Sequence, residues 1–336
     1  MMKKKLPRNK IGNIMVGFIG LVLAIGIIVG TGVSFNDIVH SITQTHISYL
    51  IIIVIVTFFV IFCTSIKWQL VLTDLMGTNH INKMYILYLA AIGIISNNII
   101  PHIGNYGLKA ASMKTHYNVS VVTSTFSVLI EQLFDLFVLM LFIVPSLLFF
   151  LHVISLQGAL FFVVVSALSV WFLFMFNHTF VMKLIMKGYT ILYALVKKIP
   201  FLKKKMVADV SAVNDALKLS RTTVTKLFLY SYIRYIFMII RNYLVILSLH
   251  MDVSFGALLL AAPLVQAIIL VGFIPGALGT LEAGWFSVLA LLGVDRMHIG
   301  LFLVSVRVLL DVSLVVVAFI IYFAGAIIIR KEVPHE

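Results

Sequence analysis

The sequence predicts an all-α polytopic membrane protein with about six full spans and two opposed re-entrant helical hairpins. Three observations carry that expectation. Of 336 residues, 62% are hydrophobic and only 11% charged, against about 45–50% and about 25% in soluble domains. Apolar runs long enough to cross a bilayer, about 20 residues, recur along the chain. Two further apolar runs are interrupted near their middles by Pro, Gly and Asn. A chain this apolar has more greasy surface than a water-soluble globule can bury, so it needs lipid around it. Residues 1–336 read as one integral membrane domain.

The full spans are expected at Ile11–Val33, Ile47–Leu72, Val119–Phe150, Ile154–Phe176, Lys226–Leu249 and His298–Ile329. Met1 to Lys10 is basic, but the apolar run after it exceeds the 7–15 residues of a signal-peptide core, so the first span is expected to be retained. The interrupted runs are Lys83–Ile100, which meets Asn97, Asn98, Pro101, Gly104 and Gly107, and Ser254–Ile274, which meets Pro275, Gly276 and Gly279 before resuming to Val294. Residues 179–225 form a basic cytoplasmic loop in which Lys197, Lys198 and Lys203 to Lys205 flank Ile199-Pro200-Phe201, a pattern that suits an amphipathic surface helix.

Basic residues outnumber acidic ones by 25 to 12, net +13. In a membrane protein this excess follows the positive-inside rule and points to lipid headgroups, not to nucleic acid. With both interrupted runs folded as hairpins, 21 of the 25 Lys and Arg, Lys67 and Lys109 among them, fall on cytoplasmic segments with both termini. Only Arg296 lies outside, and Arg234, Arg241 and Arg307 lie within spans. Making just one hairpin a full crossing would invert every basic segment after it. Opposed hairpins imply two halves of inverted topology, as in many transporters. The single cysteine, Cys63, excludes an intrachain disulfide and a cysteine metal cluster; no metal and no cofactor are expected.

Ionisable groups at bilayer depth cost about 2.5–3.5 kcal/mol each on translocon scales. Glu131 and Asp135, Arg234 and Arg241, and Arg307 and Asp311 are such groups, spaced four, seven and four apart, so each pair shares a helix face. The arginines are expected to be the cations that offset Glu131 and Asp135, and Arg307 can be neutralised by Asp311 along its own helix. Glu131, Asp135 and Asp311 then balance charge or relay protons. An internal ion-pair network that merely locks the bundle accounts for the same residues.

A helix that restarts after Pro275-Gly276-Ala277-Leu278-Gly279-Thr280-Leu281-Glu282 aims free N–H groups and its positive dipole end at the break. Asn97-Asn98-Ile99-Ile100-Pro101, followed by His102, Gly104, Asn105 and Gly107, would do so from the other face, with Lys109 behind it. The expected headgroup-binding residues are therefore Asn98, Pro101, His102, Asn105, Lys109, Arg234, Arg241, Pro275, Gly276, Gly279, Thr280, Glu282 and Arg307. There is no Walker A sequence, no Gly-x-Ser-x-Gly and no His-Glu-x-x-His, and no catalytic residue is assigned.

At these residues the chain resembles the lysylphosphatidylglycerol synthase transmembrane family. The matching elements are Asn98-x-x-Pro101 leading to Gly107-x-Lys109, Glu131-x-x-x-Asp135, Pro275-Gly276-x-x-Gly279-x-x-Glu282-Ala283 and Arg307. That family includes the flippase half of bacterial lysylphosphatidylglycerol synthases, and some archaeal dolichol-phosphate glycosyltransferases carry a similar domain. The resemblance spans roughly 11–329. The sequence departs from the family pattern where His102, Asn105 and Tyr106 replace parts of a Pro-Gly-x-x-Gly-Glu break, and where Gln132 replaces the Arg after the glutamate. What the resemblance implies is a stand-alone flippase-type domain in the plasma membrane. It would move an amphiphile with an anionic or zwitterionic headgroup (a phospholipid, an aminoacylated lipid or a polyprenyl-phosphate-linked sugar) through a polar cavity at the midplane. The alternatives are a membrane enzyme that modifies lipid headgroups, for which Glu282 with His102 is the one acid–base pairing on offer, and a scaffold subunit for a separate lipid synthase or glycosyltransferase. Membrane lipids are the expected partners, with a second copy of the chain and a lipid-modifying enzyme as further ones.

Overall fold

The computed structural model describes residues 21–76, 81–99, 103–176, 183, 187, 219–271 and 277–332, and every regular element among them is a helix. The first, α1 (Leu21–Gly30), is the described end of the expected first span. It stops where Gly32 takes a φ of +79°, a conformation open to a residue without a Cβ. The chain then turns by 87° into α2 (Phe35–Gln44). Ser34 and Asp37 cap α2 reciprocally: Ser34 N donates to Asp37 Oδ2 at 2.9 Å and Asp37 N donates to Ser34 Oγ at 3.2 Å. No element was expected here, although Phe35, Ile38, Val39 and Ile42 already have the spacing of one apolar helix face.

The long helices are α3 (Ile47–Met76), α6 (Val121–Phe150), α7 (Leu156–Phe176), α8 (Arg221–Ser248) and α11 (Arg296–Glu332). Each is long and apolar enough to cross a membrane, and the bent α1–α2 pair makes a sixth candidate. Side-chain caps set their starts. Ser120 Oγ accepts from Thr123 N at 3.0 Å before α6, and Ser220 Oγ accepts from Thr223 N at 3.1 Å before α8. Asp74, near the end of α3, also accepts from Ser220 N at 2.7 Å and ties the two helices together. Because of that cap α8 begins at Arg221, five residues before the expected Lys226, and residues 221–225 belong to it and not to the basic loop. The amphipathic helix expected in 179–225 otherwise lies outside the described residues, apart from 183, 187, 219 and 220.

Between α3 and α6 stand α4 (Lys83–Ile99) and α5 (Ile103–Tyr117); between α8 and α11 stand α9 (Phe255–Val271) and α10 (Thr280–Leu291). At 1.5 Å per residue these helices are about 18–25 Å long, short of a hydrocarbon core of about 30 Å. Each pair folds back on itself. A Cβ on Gly104 would meet the backbone oxygen of Ser96 at 2.2 Å, and one on Gly284 would meet Val265 Cγ1 at 3.1 Å, so both hairpins are closed at small residues. Gly104 and Gly107 lie inside α5, not between the two arms. Three crossing helices, α6, α7 and α8, separate the hairpins. An odd number of crossings places their open ends on opposite sides.

The main core runs through α3, α6, α8, α9, α10 and α11, with Phe134, Phe142, Ile239, Leu260 and Phe302 buried in it. The most extensive packing is that of α3 against α8. By contrast α7 is peripheral and leaves Phe161, Leu168 and Phe172 exposed, which suits a helix bathed in acyl chains. Both α6 and α9 continue through an internal proline, Pro145 and Pro263.

Candidate functional site

The costly residues come from six helices. Lys67 and Trp68 come from α3, Asn105 and Lys109 from α5, and Glu131, Gln132 and Asp135 from α6. Arg234 and Arg241 come from α8, Glu282 from α10, and Arg307 and Asp311 from α11. Spacing of four on α6 turns both carboxylates to the same side, and each meets a different cation.

Glu131 accepts from Lys109 Nζ at 3.2 Å, and that ammonium lies 4.4 Å from the centroid of the Trp68 ring. Trp68 is itself held by donating from Nε1 to Ser127 Oγ at 2.8 Å. The cation is thus enclosed by a carboxylate and an aromatic face, two favourable partners for a charge without water. Asp135 bridges two cations: Lys67 Nζ at 2.5 Å and an Arg234 terminal nitrogen at 3.0 Å. Arg234 Nε donates to Thr64 Oγ1 at 3.0 Å.

Lys67 and Lys109 are both 0% exposed. Neither is a cytoplasmic loop residue, as the charge count had it, and the arginines are not the only cations at membrane depth. The reason is visible on α3, which runs on for nine residues past Lys67, with Val71 and Leu72 buried.

The second group sits at the start of α10. Gly279 has φ +78° and donates from its N–H to Glu282 Oε2 at 2.7 Å, while Arg307 Nε donates to Glu282 Oε1 at 2.8 Å. One carboxylate therefore caps the restarting helix and pins it to α11. Thr280 Oγ1 donates back to Ala277 O at 3.0 Å, so the first turn is tied down from both sides.

Between these groups lie Arg241 and Asp311. Arg241 is within reach of the charges of Arg234 and Asp311, and Asp311 within reach of Arg307. The ionisable residues thus form a row from Asp135 through Arg234, Arg241, Asp311 and Arg307 to Glu282, joining the core beside the first hairpin to the start of α10. Within the row Asp135, Arg234 and Arg307 keep 24%, 22% and 26% of their side-chain surface accessible. These three keep accessible surface, whereas Lys67, Lys109, Glu131 and Glu282 are buried.

Asn105 is buried against Gly93, and its Oδ1 has no hydrogen-bond partner. Tyr106 donates its hydroxyl to Gln132 Oε1, so two positions that depart from the family pattern meet each other. Asn98 falls in the last turn of α4. Pro101, His102, Pro275 and Gly276 lie outside the described residues. Among the described residues no three His, Cys, Asp or Glu side chains are grouped to hold a metal ion.

Residues 17–320 match the family described as the lysylphosphatidylglycerol synthase TM region. The chain belongs to that family. Among curated proteins no sequence matches it. Family membership and the apolar helices together make it a multi-pass membrane protein, and the ion pairs of Lys109 with Glu131 and of Arg307 with Glu282 join residues of the four elements on which the resemblance rested.

Proposed function

We propose that this member of the lysylphosphatidylglycerol synthase TM-region family moves an amphiphile with an anionic or zwitterionic headgroup between the leaflets of the plasma membrane, with both chain termini cytoplasmic. The observation that carries the proposal is the row of ionised side chains at membrane depth between two broken hairpins. Nine ionisable groups in one bundle are expensive, and broken helix at this depth is tolerated where protein or water satisfies the freed backbone. A lock that served stability alone would be cheaper with apolar residues of similar volume. The row offers a headgroup successive charges of both signs while its acyl chains stay in lipid.

Each part has a role in this scheme. Arg307 and Glu282 hold the start of α10 and release it when a headgroup competes for the guanidinium. Asp135 gives Lys67 and Arg234 a shared carboxylate partner. In this reading Asn98, Pro101, His102, Pro275 and Gly276 also serve the headgroup. Membrane lipids are the partners, and a second copy of the chain or a lipid-modifying enzyme is compatible with the exposed α7 face. Family membership supports lipid as the cargo.

The test is transport by purified protein in liposomes, read as loss of fluorescence of labelled phospholipids to a membrane-impermeant quencher. Wild-type protein exchanges label between leaflets, and Glu282→Gln and Arg307→Ala each slow it at least tenfold. Exchange untouched by both variants would falsify the site. A covalently altered lipid in place of exchange would make the chain an enzyme, and activity seen only with a co-purified synthase would make it a scaffold.

A further inference from the structure

Among the described residues at membrane depth, five cations (Lys67, Lys109, Arg234, Arg241 and Arg307) face four carboxylates (Glu131, Asp135, Glu282 and Asp311). Four of the cations have a carboxylate oxygen within 3.2 Å. Arg241 does not. Its Nε is buried with no hydrogen-bond partner, although the residue as a whole is only half-buried. Among the described residues it forms no salt bridge, and the charges that act on it are those of one cation, Arg234, and one carboxylate, Asp311.

This arrangement is unlike the rest of the bundle. Every sealed cation around it is enclosed by an acceptor, and a guanidinium that is left without one in a low-dielectric setting keeps its full desolvation cost. Five cations against four carboxylates leave the bundle a surplus of one positive charge, which favours an anion of matching geometry. A guanidinium presents its donors as a planar fork, which suits two oxygens of one phosphate, while an ammonium offers a point charge. Two turns along the same face of α8, Arg234 is already committed to Asp135 and Thr64. Arg241 is therefore the position in the row where an incoming oxyanion displaces no existing ion pair.

We propose that Arg241 is the phosphate subsite of the row: it binds the phosphate oxyanion of a lipid headgroup midway between the Asp135 cluster and the Glu282–Arg307 pair. This rests on the transport proposal for the direction of use, but the binding itself is separable from it. The headgroup recognised is one that carries an ionised phosphate; sugar or amine groups beyond the phosphate would then face Asp311, Arg307 or Asp135.

The experiment uses the full chain in a neutral detergent, with thermal unfolding followed against increasing dihexanoyl phosphatidic acid, dihexanoyl glycerol or inorganic phosphate. A ligand that binds only the folded state raises the unfolding temperature in proportion to its saturation. Expected is a saturable rise with dihexanoyl phosphatidic acid and none with dihexanoyl glycerol. Arg241→Gln weakens the apparent affinity at least tenfold, and Arg241→Lys, which keeps the charge and loses the fork, weakens it at least threefold. Equal affinity in wild type and Arg241→Lys overturns the proposal even if Arg241→Gln fails to fold. An equal rise with dihexanoyl glycerol overturns phosphate recognition, and saturation by inorganic phosphate at the same concentration overturns the lipid as its source. In liposomes, exchange of a phosphate-free glycolipid without any phosphatidic acid binding would sink this subsite and leave transport standing. Phosphatidic acid binding that depends on Arg241 without exchange of any lipid would do the reverse.

Discussion

Lys109 shows how tightly the charge at membrane depth is balanced. Its ammonium has a carboxylate on one side, an indole on the other and no exposure. Removing one partner of such a pair leaves the other charge buried alone and costs about 3–5 kcal/mol, whereas replacing both by apolar side chains of similar volume is often neutral or stabilising. Lys109→Met is therefore expected to destabilise the chain by about 3–5 kcal/mol, and Lys109→Met with Glu131→Leu to recover most of that loss, read by unfolding in detergent. A double variant as unstable as the single one would mean that Glu131 does not need this cation. Most of these residues were legible in the sequence, because Glu131, Asp135, Arg234, Arg241, Arg307 and Asp311 interrupt apolar runs that have no other reason to carry charge. Lys67 and Lys109 were not. Each lies toward the end of an apolar run, where hydropathy alone cannot distinguish a loop lysine from one whose helix runs on past it, and the distinction depends on Asp135 and Glu131 arriving from another helix.

At the scale of elements, glycines that look alike in sequence do different work. Gly104 lets α5 touch the backbone of α4, where a Cβ would meet Ser96 O at 2.2 Å, while a Cβ on Gly107 meets nothing within 4 Å. Gly104→Ala must push the hairpin apart and is expected to cost about 1–3 kcal/mol, the usual range for overpacking. Gly107→Ala has free space and removes a poor helix former, so it is expected to be neutral or stabilising by up to about 1 kcal/mol. Unfolding temperatures of the two variants in one detergent make the comparison, and equal losses would show that α5 is not packed against α4 in this way. That each interrupted run ends as two helices was legible, because Pro101 and Pro275 in the sequence disfavour one continuous helix. Which glycine packs and which merely tolerates helix was not legible, since the answer lies in Ser96, a residue of the opposite arm. α2 was passed over for another reason: ten residues is too short to register as a span, and only the 87° turn at Gly32 sets it apart from α1.

For the molecule as a whole, the proposed orientation rests on the positive-inside rule. Moving Lys67 and Lys109 from loops into the bundle leaves Lys83 and Lys114 at the open end of the first hairpin. The second hairpin opens beside Asp252, Asp295 and Arg296, where Asp295 caps α11 by accepting from Met297 N and His298 N at 3.0 and 3.1 Å. The His298 backbone N–H is the main reason that the Asp295 carboxyl stays below its ordinary range, so this cap remains ionised at neutral pH and holds the turn at the surface. A single added cysteine reports the side directly once the buried native Cys63 is replaced by Ala. Asp252→Cys and Met297→Cys flank the second hairpin and are expected to react together with an impermeant maleimide on intact cells. Lys83→Cys and His116→Cys flank the first and are expected to react together only after the membrane is opened. If the two members of either pair react from opposite sides, that pair of helices crosses the bilayer. Every basic segment after it would then be inverted, against the positive-inside rule, and the row from Asp135 to Glu282 would no longer lie between two opposed breaks.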